Sequence, residues 1–74
     1  MNYTIAVMED VHNGQKLFFD KSGNMYDVCL YSEEIDTYVS RQYSTMEEAY
    51  RSFEKISKAI ITGCFSFEQR KAFL

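Results

Sequence analysis

Hydrophobic and polar positions alternate through most of the first 43 residues, then recur at steps of three and four. In "NYTIAVMED", Tyr3, Ile5 and Val7 fall on one side and Thr4, Ala6 and Met8 on the other, the period of a half-buried strand. "KLFFDK" repeats it, with Leu17 and Phe19 against Phe18. "MYDVCLYS" sets Tyr26, Val28 and Leu30 against Met25, Cys29 and Tyr31. "TYVSRQY" sets Thr37, Val39, Arg41 and Tyr43 against Tyr38, Ser40 and Gln42, and its polar content suits a sheet edge. The breaks carry turn chemistry. Asn13-Gly14 and Gly23-Asn24 tolerate positive φ, and "EEID" reads as a hairpin loop. Such short connections predict an antiparallel meander of three to four strands.

"YSTMEEAYRSFEKISKAIITG" has the other period. Over 46–62, Met46, Ala49, Tyr50, Phe53, Ile56, Ser57 and Ile60 share one face, with Phe53, Ile56 and Ile60 expected to be buried. Glu47, Arg51, Glu54, Lys55 and Lys58 share the other. Thr45 and Glu48 have capping-box spacing, in which the carboxylate reaches back to the cap amide; Ser44 and Glu47 offer the same pair one residue earlier. Gly63 stands where a C′ glycine ends a helix. Ser66 and Gln69 repeat the cap spacing. The tail is therefore either a short helix over 67–73 or an extended arm laying Phe65 and Phe67 over the core.

The expected fold is α+β: the meander sheet with one long amphipathic helix on one face, and residues 1–74 forming a single domain. The covered face is expected to hold Ile5, Val7, Leu17, Phe19, Val28, Leu30 and Val39. The opposite face then shows Met8, Phe18, Met25, Cys29, Tyr31 and Tyr38 among Thr4, Ala6, Lys16, Asp20, Asp27, Ser40 and Gln42. That is too apolar for an ordinary solvated face, and apolar patches mark interfaces. A tail folded back over it, or an alternation read one residue out, would change that picture.

Composition supports a packed chain. Six Phe and six Tyr give 16% aromatic content, which offsets the small core available to 74 residues. The net charge of −3 is uneven: residues 1–44 carry −4 and residues 45–74 carry +1. This argues against nucleic acid as a partner, since phosphate contacts need clustered Lys and Arg. It favours a protein partner with a basic surface. Cys29 and Cys64 lack metal or redox spacing and read as buried, reduced thiols in a cytoplasmic protein. No apolar run approaches the roughly 20 residues of a membrane span, so no membrane role is expected.

Catalytic signals are missing. His12, the only histidine, has no second ligand type beside it in its turn. No nucleophile elbow or phosphate loop occurs, and the three glycines are taken by turns and a cap. No enzyme activity, cofactor or metal is expected. Glu33, Glu34 and Asp36 lack the spacing of a calcium loop and read as a solvated acidic tip or a docking point. The expected partner-binding residues are therefore Phe18, Tyr31 and Tyr38 with Glu33, Glu34 and Asp36.

In size, acidity, element order and the "YSTMEEAYRSFEKI" strand-to-helix junction, the chain resembles small phage-encoded inhibitor proteins of the anti-CRISPR type. The resemblance carries over no individual residue. It implies a non-enzymatic protein-binding module that occludes a basic surface of a host nucleic-acid enzyme. The alternatives are a structural homodimer and a small nucleic-acid-binding accessory domain.

Overall fold

A computed structural model describes residues 2–64 and 66–74; the expectation for Phe65 falls outside the described residues. The fold is α+β. Four strands, β1 (Asn2–Asp10), β2 (Gln15–Ser22), β3 (Met25–Ser32) and β4 (Thr37–Tyr43), form an antiparallel meander in chain order. A 16-residue helix, α1 (Met46–Ile61), packs on one face, and a short helix, α2 (Phe67–Lys71), follows.

Turn chemistry sets the register. Ser22 pairs with Met25, and Gly23 alone in that turn takes positive φ, at 62°. The first hairpin is longer than Asn13-Gly14 suggests. Val11–Asn13 make a 3-10 turn, and Gly14 closes it at φ 61°. Asp36 ends the third turn at φ 47°, a conformation that Asp tolerates better than most side chains.

The expected inner face holds for β2, β3 and β4 and for Ile5 of β1, which packs on the core, and fails for Val7. Leu17, Phe19, Val28 and Leu30 are fully buried, with Val39 packed beside them. In β1, Thr4 lies opposite Asp20 but Ala6 lies opposite Phe19, so Ile5 is an extra residue in a β-bulge. Beyond the bulge the alternation is inverted. Met8 packs on the core, whereas Val7, expected inside, is 48% exposed on the other face.

Thr45 caps α1 as expected, accepting from the Glu48 amide at 3.3 Å. The Glu48 carboxylate does not return to the cap amide; it accepts from the Thr45 hydroxyl at 3.0 Å. At the other end Gly63 takes φ 87°, and the Cys64 amide donates to the Ala59 carbonyl, a Schellman closure. The buried stripe is narrower and shifted: Ala49, Ser52, Ile56 and Ala59. Phe53 and Ile60 are half-buried at its flank, where the Phe53 ring still lies 5.6 Å from Phe19. Met46 and Tyr50 are largely exposed.

The shift has a cause in the tail. Ser66 caps α2, and the tail docks beside α1 on the same side of the sheet, with Phe67 buried. The Ser52 hydroxyl donates to the Phe73 carbonyl at 3.2 Å, and Arg41 donates to the Leu74 carbonyl at 3.0 Å. Arg70 is completely buried. It pairs with Asp10 at 2.7 Å and donates to Gln15 at 2.8 Å and to the Cys64 carbonyl. The tail thus closes the helix side and leaves the second sheet face uncovered.

Candidate functional site

The uncovered face is built by register. Pairing across β2, β3 and β4 aligns Lys16, Tyr31 and Tyr38 in one row, and Phe18, Cys29 and Ser40 in the next. The bulge adds Val7 beside Phe18. The third row is Thr4, Asp20, Asp27 and Gln42, and the fourth is Asn2, Ser22 and Met25. Phe18, Tyr31 and Tyr38 therefore share a face, and Tyr38 is 65% exposed.

The acidic tip adjoins the same face. Glu33, Glu34 and Asp36 are exposed at the β3–β4 turn. The Tyr31 hydroxyl donates to Asp36 at 3.2 Å, and Lys16 pairs with Glu33 at 3.3 Å. Partial burial, the bond to Asp36 and the charges of Asp36 and Glu33 raise the Tyr31 phenol above its ordinary value. Ile35 is exposed at the turn between these acids.

Charge is sided. Glu9, Asp20, Asp27, Glu33, Glu34 and Asp36 stand against Lys16 alone, so the uncovered face and tip carry a formal −5. The other seven bases and five acids leave the rest of the molecule at +2. The split of −4 and +1 read along the chain understates this separation in space, because Lys21 and Arg41 belong to the helix side. Lys21 lies over the Tyr26 ring at 4.4 Å, and Arg41 binds the tail.

Two features of the face were not singled out in the sequence. One is Val7, which the bulge moves outward. The other is the pair Asp20–Asp27, directly opposite one another on the central strands. A signal for it existed: both lie the same distance from the Gly23-Asn24 turn, so a two-residue hairpin must pair them. One carboxylate oxygen of each, Oδ1, is buried with no hydrogen-bond partner among the described residues. Next to them burial raises the Cys29 thiol, and both Asp charges add to that shift. Cys29 and Cys64 are free and half-buried, where full burial was expected.

Among the described residues, no group of three His, Cys, Asp or Glu could hold a metal ion. None of their helices is long and apolar enough to cross a membrane. His12 is exposed. Comparison with protein-family models finds no matching model, and comparisons with curated proteins and with solved structures find no match either.

Proposed function

We propose that this chain is a non-enzymatic protein-binding module that docks through its uncovered sheet face and acidic tip on a basic surface of another protein. The observation that carries the reading is the sidedness: the rings of Phe18, Tyr31 and Tyr38 and three carboxylates share the face that neither helix covers, and three more carboxylates stand at the adjoining tip. Rings supply contact area at low side-chain entropy, and carboxylates steer encounter with a basic partner. In its sharpest form the module is a phage or mobile-element inhibitor acting in a bacterial cytoplasm. Its acidic face would occupy the groove through which a host enzyme holds nucleic acid.

A homodimer is the second reading, favoured by one observation: β4 is an edge strand whose outward backbone groups have no strand partner. Face-to-face pairing is disfavoured, because it would oppose two surfaces of −5. Mass measured at micromolar concentration separates a dimer from a monomer.

The test of the first reading is kinetic. With a captured partner, Tyr31→Ala or Tyr38→Ala should raise the dissociation rate, and Glu33→Lys with Glu34→Lys should slow association at low salt. Parent-like rates for both sets, with binding abolished by changes at Arg51, Lys55 and Lys58, would place the working surface on the helix side.

A further inference from the structure

The carboxylates of Asp20 and Asp27 sit at the middle of the docking face, and their arrangement is costly as it stands. Like charges directly opposite on neighbouring strands destabilise a sheet. Burying a carboxylate oxygen without a donor adds a desolvation cost. Among the described residues no basic side chain relieves either. Lys16 is engaged with Glu33, Lys21 lies over Tyr26, and Arg41 and Arg70 are held on the helix side.

The surroundings specify what would relieve it. A groove of about 290 Å³ opens here, lined by Asp20 and Asp27 together with Tyr3, Thr4, Lys21 and Ser22. One step along the strands on one side stand Phe18 and Cys29; one step on the other stands Met25. The pair is thus an acceptor-only, doubly negative spot with Phe18 and Cys29 on one side and Ser22 and Met25 on the other. A divalent cation would need roughly six to eight oxygens for Ca²⁺, more than two carboxylates and the Thr4 hydroxyl supply. A guanidinium presents five donors in a planar fork that can span two carboxylates. It is weakly hydrated, and its stem packs on apolar side chains.

We propose that Asp20 and Asp27 together receive an arginine side chain of the partner, its guanidinium bridging the two carboxylates and its stem lying along Phe18 and Met25. The inference rests on the docking reading above and names the group that the face recognises. A partner arginine offsets the repulsion between the two carboxylates that line the groove, so the gain on binding includes relief of that repulsion in the free protein.

The test uses the full isotope-labelled chain and two probes at low salt: capped tetra-arginine and capped tetra-lysine peptides. Tetra-arginine should shift the amides of residues 18–22 and 25–29 in a saturable way. Tetra-lysine should bind about tenfold more weakly, since it offers a point charge in place of the fork. The shifts should vanish in Asp20→Asn with Asp27→Asn, a variant expected to fold at least as stably as the parent, and persist in Glu33→Gln with Glu34→Gln. Equal binding of the two peptides, shifts surviving in the double Asn variant, or Ca²⁺ alone reproducing them would overturn the proposal. Shifts confined to residues 33–36 would remove the arginine site while leaving the docking face in place. No shift at either place, with either peptide, would remove both.

Discussion

Arg70 has none of its side chain in contact with water, yet it carries a full charge. In the sequence it looks like an ordinary basic residue near a helix end; its side-chain partners Asp10 and Gln15 flank the turn of the first hairpin, which no local pattern reveals. Breaking a buried pair costs more than forming it gains, because the remaining charge stays desolvated. Arg70→Met is therefore expected to cost on the order of 3–5 kcal/mol, read from urea unfolding, with part of the loss recovered when Asp10→Asn is added. The same pair sets an acid limit. Burial pushes the Asp10 carboxyl up, but the hydrogen bonds from Asn13 and Arg70 and the Arg70 charge outweigh it, so it lies below its ordinary 3.8. The unfolded chain then binds the proton more readily than the folded one. This stability is complete above the ordinary value and is lost as pH falls through the lowered one. Asp10→Asn should flatten that part of the acid-unfolding profile. At the Asp20–Asp27 pair the sign reverses: Asp27→Asn should raise stability by about 0.2–1 kcal/mol, since it removes a cross-strand repulsion.

The elements were legible where local chemistry fixes them. Both helices start at hydroxyl caps read from spacing, and α1 ends at Gly63. Thr45→Ala should cost about 0.5–2 kcal/mol in thermal unfolding. The face of α1 was legible only in part. Ile56 is fully buried, so Ile56→Ala should cost about 2–5 kcal/mol. Half-buried Phe53 should cost less than a fully enclosed ring. Periodicity weighs Phe and Tyr above Ala and Ser, whereas the docked tail meets α1 at Ser52, whose hydroxyl donates to the Phe73 carbonyl. In β1 the bulge is the hidden variable. Val7→Asn should change stability by no more than about 0.5 kcal/mol, as at other surface sites. Met8→Asn should cost about 1–3 kcal/mol by placing an amide against the core. The reverse order in denaturant unfolding would restore the unbroken alternation.

Across the whole molecule, charge and cover are separated: two helices close one side, and the other keeps −5 with the half-buried rings of Phe18 and Tyr31 and the exposed ring of Tyr38. Long-range steering follows from that separation and is screened over roughly 8 Å at physiological salt. Association with a basic partner should therefore slow about tenfold or more between low and physiological salt, and dissociation should change far less. Stopped-flow rates at several ionic strengths check both parts. Comparable salt dependence of the two rates would separate the acidic face from encounter.

Local chemistry was enough to determine a meander of three to four strands, the capped helix α1 after it and the shared face of Phe18, Tyr31 and Tyr38; it left the helical form of the tail open. Period-two alternation, turn glycines and hydroxyl caps act within a few residues, so they survive in a bare sequence. The tertiary structure decided three things that depend on distant partners. Which side the tail covers is set by Arg70 reaching Asp10 and Gln15. Which way Val7 and Met8 point is set by one extra residue in β1. That Asp20 and Asp27 meet with unpartnered oxygens is set by the pairing of β2 with β3. A single added residue inverts every side chain beyond it, and a buried ion pair joins the two ends of the chain, so neither leaves a periodic trace.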